Sequence, residues 1–146
     1  MNKFILKSIS CMLFLSCGVK LNTGDLIYKE GVTFKAERII KAKGKEQGNV
    51  NYFAPKGTHF IQLHLTFENK TNLEQIVDPE DIFLLDDRNN KYSVDMVAQG
   101  ITTNPFRIKE HRLKAGQSKR FLMGFDYGFP QDSKIRILVL DKIYNL

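Results

Sequence analysis

The stretch HFIQLHLTFEN (His59–Asn69) sets Ile61, Leu63, Leu65 and Phe67 on every second position, with Gln62, His64, Thr66 and Glu68 between them. Successive side chains of an extended chain point to opposite faces, so a period of two predicts a strand with one buried and one wet face. An apolar sheet face must be covered by a second layer. The rest of the chain therefore has to supply that layer.

It does so with more strands. DIFLLDDRNNKYSV (Asp81–Val94) predicts a hairpin with arms Ile82–Leu85 and Tyr92–Val94, joined by Asp and Asn residues that tolerate turn dihedrals. LKAGQSKRFLMGFDY (Leu113–Tyr127) predicts a glycine turn feeding a strand with Phe121, Met123, Phe125 and Tyr127 on one face and Arg120 with Leu122 on the other. KIRILVL (Lys134–Leu140) places Ile135, Ile137 and Val139 together. GVTFKAERIIKAK (Gly31–Lys43) is rich in β-branched residues but alternates less regularly. No segment sustains a helical period. Short strands separated by turn signals predict an all-β, antiparallel sandwich or barrel, with two long connections at Gly44–Gly57 and Met96–Arg112. A length of 146 residues suits one such domain.

The N-terminus follows a different grammar. Lys3 and Lys7 precede the mostly apolar Ser8–Leu15, and Ser16-Cys17-Gly18 follows. Charged, apolar and small-residue parts in that order predict a secretory signal, and the run is too short to span a bilayer. LFLSCG resembles a bacterial lipobox, with Phe14 and Leu15 at positions where Leu and a small residue are usual. The resemblance makes Cys17 the lipid-attachment residue. The expected organisation is a signal peptide over 1–16, a lipidated cysteine and short tether over 17–27, and a β-sandwich over 28–146. The chain has two cysteines. With Cys11 removed and Cys17 acylated, no internal disulfide could form, so the fold would rest on packing and hydrogen bonds. Acyl chains on Cys17 would hold the domain on a membrane of the bacterial envelope, at about 0.8 kcal/mol per buried methylene.

The order FIQLHLTFENKT, FLLDDRNNKY, LKAGQSKRFLMGFDYGFP and a last apolar strand resembles a family of exported bacterial domains of unknown function. These have a telokin-like, immunoglobulin-like sandwich and often occur on lipoproteins. The resemblance covers roughly residues 31–146, and its marks are Asn69 ending a strand, the Asp-rich turn before Tyr92, the turn Leu113–Ser118, and Phe129-Pro130. It implies a single antiparallel immunoglobulin-like β-sandwich and an envelope location. It supplies no catalytic residues.

The residues themselves give little chemistry. His59 and His64 lie five apart on one strand, so they face opposite ways and cannot chelate together. GQSKR (Gly116–Arg120) lacks the second glycine of a nucleophile elbow and precedes a strand where an elbow follows one. DDRNN has Arg88 where a calcium loop needs an oxygen ligand. Gly44 and Gly48 are followed by no Gly-Lys-Ser/Thr. The reading is a non-enzyme with no metal and no cofactor.

What stands out is charge. FRIKEHRLKAGQSKR (Phe106–Arg120) carries six basic residues against Glu110, and Lys35–Lys45 carries Lys35, Arg38, Lys41, Lys43 and Lys45 against Glu37. The net charge is +6, and +4 once Lys3 and Lys7 are removed with the signal, too small an excess to indicate nucleic acid. Such runs serve as solvated strand edges, where lysine discourages sheet pairing, or as a surface for polyanions. On the second reading Arg107, Lys109, Arg112, Lys114 and Arg120 form the binding surface. Arg120 is preferred to Lys119 because it lies opposite the apolar face. The expected function is a membrane-anchored, non-enzymatic binding module, and the alternative is an accessory subunit docked on another envelope protein.

Overall fold

The computed structural model describes residues 17–47, 50–99, 102–104, 110–126 and 128–146. The signal segment 1–16, Arg107, Lys109 and Tyr127 lie outside the described residues. The first strands are β1 (Cys17–Lys20), β2 (Leu26–Lys29), β3 (Val32–Ala42), β4 (Gly44–Gln47), β5 (Val50–Phe53) and β6 (Thr58–Asn69). They are followed by β7 (Gln75–Val77), a 3-10 turn (Pro79–Asp81), β8 (Ile82–Leu85), β9 (Lys91–Gln99) and β10 (Thr102–Asn104). The chain ends with β11 (His111–Leu113), β12 (Ser118–Phe125), β13 (Phe129–Pro130), β14 (Arg136–Val139) and β15 (Lys142–Asn145).

β6 is the central strand. It pairs antiparallel with β3 from Val32↔Asn69 to Ala42↔Phe60, and with β12 from Ser118↔Glu68 to Gly124↔Gln62. Its alternation is realised as read. Ile61, Leu63, Leu65 and Phe67 are buried, while Gln62, His64, Thr66 and Glu68 are half-buried on the other face. Burying one such apolar side chain contributes about 1.5–3 kcal/mol. Around Phe67 the rings of Tyr28, Phe34 and Phe121 gather at 5.6, 5.5 and 5.9 Å, within the range where aromatic pairs attract.

The second layer is reached through β9. Its Val94–Ala98 part pairs with β12 and its Lys91–Ser93 part with β8, and the β12 register shifts between Gly124 and Phe125. A shift of that kind bends the strand, so β9 passes from one layer to the other. β14 then pairs with β8 and with β15. Ile82, Leu84, Ile137 and Val139 from this layer join Leu65, Phe121 and Met123 in one core. The short β7–β11 pair closes one end, with Val77 and Leu113 buried. The architecture is an antiparallel β-sandwich.

Three expectations need correction. Residues 17–27 are not a loose tether, because β1 pairs with β3 (Cys17↔Lys41 to Lys20↔Arg38) and β2 pairs with β3 from Leu26. Each is only four residues long, CGVK and LIYK, too short to show an alternating pattern, and that is what hid them. The connection 44–57 contains the β4–β5 hairpin, whose Lys45 reaches Asp95 at 2.5 Å and covers the buried Phe60 ring at 5.1 Å. The connection 96–112 is likewise partly strand, since β9 runs on to Gln99 and β10 folds back along it.

Candidate anion-binding face

The outward face of β1, β3, β6 and β12 collects basic side chains from three of those strands. The register aligns Lys20 with Arg38, Arg38 with His64, and His64 with Leu122; Lys35, Thr66 and Arg120 form the neighbouring row. An irregularity between Ala36 and Arg38 is decisive. Ala36 and Ile39 are both buried, so the extra residue lets Glu37 and Arg38 share the outward face. Strict alternation would have turned one of them into the core.

Glu37 organises the row. One carboxylate oxygen accepts from Thr66 Oγ1 at 2.8 Å and the other meets Arg120 Nη2 at 2.8 Å. The Arg38 guanidinium lies flat against Gly18, where a Cβ atom would fall 2.4 Å from Nε and from Nη2. Only glycine at position 18 permits that approach. Gly18, Lys20, Leu21, Glu37, Arg38 and Arg120 line an open groove of about 500 Å³. Among the described residues neither Lys20 nor Arg38 makes an ion pair, so Glu37 leaves the groove with an excess of positive charge. Burial pushes the His64 imidazole below its ordinary pKa, Arg120 and Arg38 push it further down, and Glu37 pulls partly back. The ring is therefore neutral at pH 7 and becomes cationic only in acid.

This arrangement is suited to holding anions. A guanidinium presents a planar fork of donors that matches a phosphate, sulfate or carboxylate. Among the described residues no group of three His, Cys, Asp or Glu side chains is placed to hold a metal ion.

Of the surface anticipated from the sequence, Arg107 and Lys109 lie outside the described residues, and the other three side chains do not come together. Arg112 on β11 is 71% exposed and pairs with Glu74 at 2.9 Å. Lys114 is exposed at the turn, its backbone N–H donating to Gln117 Oε1. Arg120 does not join them. The strand neighbour that does is Lys119, whose Nζ donates to the Arg112 carbonyl at 2.8 Å. The reason is which layer β11 belongs to. β11 pairs with β7 and packs His111 against Phe121, ring to ring at 4.7 Å, on the inward face of β12. The side chain that meets β11 is therefore an inward-directed one, while Arg120 crosses the outer face to Glu37. Lys20 and His64 were missed as partners because one lay in the supposed tether and the other on a wet strand face. Arg38 was visible in the Lys35–Lys45 run, but nothing local to that run shows what faces it.

The fold places the chain among antiparallel β-sandwich proteins. It is similar to a conserved hypothetical protein from Bacillus anthracis, with a TM-score of 0.59 and 16% identity over 89% of this chain and 94% of that one. It is also similar to an uncharacterized β-sandwich protein from Clostridium difficile 630, with a TM-score of 0.53 and 16% identity over 84% of this chain and 89% of that one. A functionally unknown protein from Listeria monocytogenes EGD-e gives a TM-score of 0.50 and 11% identity over 85% and 75% of the two chains. At these identities the likeness concerns the fold. No family model and no curated protein matches the chain.

Proposed function

We propose that the protein is a bacterial envelope lipoprotein, anchored through an acylated Cys17, whose immunoglobulin-like sandwich is a non-enzymatic module for binding polyanions. The binding surface is the outer face built from Lys20, Arg38, His64 and Arg120. The observation that carries this reading is the pairing pattern there. Arg120 is committed to Glu37, while Lys20 and Arg38 beside it have no carboxylate partner among the described residues. Sulfated or phosphorylated glycans and lipid headgroups present the matching charge. The anchor reading is supported by the order of basic, apolar and cysteine residues at the N-terminus.

Heparin binding by the full chain tests the surface. Reversing the charge at Lys20 and Arg38 together is expected to weaken binding at low salt about tenfold or more, since hydrogen bonds to charged groups are each worth about 1.5–3 kcal/mol. Reversal at Arg112 and Lys114 is expected to change it by much less. Affinity should rise only as the pH falls below the ordinary imidazole range, because burial and the neighbouring guanidinium groups hold the His64 pKa down and its proton is gained beside the bound anion only there. The groups facing it are Glu37 and Arg38 from β3 and Arg120 from β12. Wild-type protein that ignores heparin, or binding indifferent to Lys20 and Arg38, overturns this assignment. Separately, Cys17→Ala should abolish metabolic labelling with palmitate, and retained labelling removes the anchor.

A further inference from the structure

A second groove lies at the open edge of the sandwich, on the inward side of β1 and β3. Val19 and Ile39 are paired across β1 and β3, and Ile39 belongs to the core. Opposite them stand Ile135 and Leu146 of the second layer, and the space between measures about 560 Å³. Val19 remains 51% exposed although it faces this gap, so the wall of the groove continues the core into a space that no side chain of the described residues fills. Two lysines from opposite layers, Lys41 and Lys134, also line the groove. Among the described residues neither makes an ion pair.

We propose that this groove binds a single-chain anionic amphiphile, of which a fatty acid is the simplest, with the acyl chain along Val19, Ile39 and Ile135 and the anionic head on Lys41 and Lys134. Small-molecule sites are concave and largely apolar with a few placed polar groups, and this groove has that composition. The head group follows from charge: an unpaired lysine on each wall favours an anion, and a neutral lipid would leave both unmatched. The two grooves share Leu21, but their charged groups differ, since Lys20 and Arg38 point to the other side of the same strands from Lys41.

The test uses the full chain carrying Cys17→Ser, so that no attached acyl chain can compete for the groove. Octanoate, decanoate, dodecanoate and dodecanol are titrated below their aggregation limits. About 0.8 kcal/mol per buried methylene corresponds to a roughly fourfold gain in affinity for each added CH2 until the groove is full. Dodecanol should bind at least tenfold more weakly than dodecanoate. Lys134→Glu, at an exposed position, should weaken dodecanoate by a similar factor without lowering the melting temperature. Val19→Asp should abolish binding by placing a carboxylate in the apolar wall. The Lys134→Glu result stands alone if Val19→Asp fails to fold. Heparin should not displace the fatty acid, which separates failure of this site from failure of the outer face. No chain-length dependence, or equal binding of dodecanol and dodecanoate, overturns the proposal. Binding unaffected by Lys134→Glu does the same.

Discussion

Asn69 and Asp86 are both almost wholly buried, at 0% and 1% exposure, yet the fold satisfies them by opposite means. Asn69 ends β6 and joins parts of the chain far apart in sequence. Its Nδ2 donates to the carbonyls of Leu73 at 2.7 Å and of Leu113 and Lys114 at 3.0 Å, and its Oδ1 accepts from the Thr71 N–H and hydroxyl. Asp86 follows β8 and is satisfied locally. It accepts from the N–H groups of Arg88 and Asn90, from the Asn90 amide at 2.7 Å and from the Tyr92 hydroxyl at 3.1 Å. The difference follows from what covers each group. Where β6 meets β11 the partners are carbonyl oxygens, and the two N–H groups of a neutral amide, one of them shared, can serve them without burying a charge. Asp86 lies under a single turn rich in N–H donors. A carboxylate can stay ionised there because its hydrogen bonds offset the cost of leaving water.

The sharpest way to break this comparison is to exchange the two chemistries. Asn69→Asp would aim a carboxylate at the oxygens of Leu73, Leu113 and Lys114. A buried charge without compensation costs about 3–5 kcal/mol, so the urea midpoint should fall steeply at pH 7. It should partly recover in acid, as the new carboxyl protonates and regains a donor. A loss below about 1 kcal/mol would mean that the end of β6 is open to water, and the contrast with Asp86 would disappear.

The reverse exchange, Asp86→Asn, should cost less. An amide keeps one acceptor oxygen but turns donors toward donors, for an expected loss of about 1–3 kcal/mol. Its more specific signature is in pH. Burial alone would raise the Asp86 pKa, but the side chain and N–H of Asn90, the N–H of Arg88 and the Tyr92 hydroxyl outweigh it and hold the carboxyl below its ordinary value. A folded-state pKa depressed in this way contributes stability that is fully present above the unfolded value, about 3.9. That stability is lost as the pH falls through the folded pKa. Denaturation midpoints measured from pH 6 down to pH 2 should therefore slope more gently below pH 4 in Asp86→Asn than in wild type. An unchanged slope would assign the acid sensitivity to other carboxylates.

The same contrast explains what was legible in the sequence. The Asp86 turn was read correctly because its partners lie within six residues, inside DDRNNKY. The role of Asn69 was not visible, because Leu113 and Lys114 are 44 and 45 positions away. Strands with one buried face announced themselves: Leu65, Phe121 and Ile137 sit where alternation placed them. Strands with little buried apolar surface of their own did not. β1 carries Gly18, Val19 and Lys20, and β15 follows Leu140, which turns the chain at φ 55° with a residue type that rarely adopts that conformation. The outer basic face depended on a one-residue irregularity at Glu37, which no periodicity encodes. The choice of Arg120 over Lys119 had the faces of β12 right. It lacked the knowledge that β11 lies on the inward side.

The smallest expected effect lies directly beside Asn69, and it separates burial from position. Glu74 is one residue beyond Leu73, which accepts a hydrogen bond from Asn69, and its Oε1 meets Arg112 Nη1 at 2.9 Å. Arg112 in turn precedes Leu113, another acceptor of Asn69. Yet the two charged side chains are 47% and 71% exposed. Water screens an exposed pair, and ordering two long side chains opposes it, so its net contribution is about 0–1 kcal/mol. Glu74→Gln should thus shift the unfolding midpoint by less than 1 kcal/mol, and the shift should vanish in about 1 M salt, where the screening length is about 3 Å. The Asn69→Asp loss should keep most of its size there, because a buried charge is shielded from ions as well as from water. If salt reduced both losses alike, the end of β6 would be electrostatically part of the surface, and hydrogen bonding by Asn69 would not explain why the β7–β11 strip holds to the rest of the sandwich.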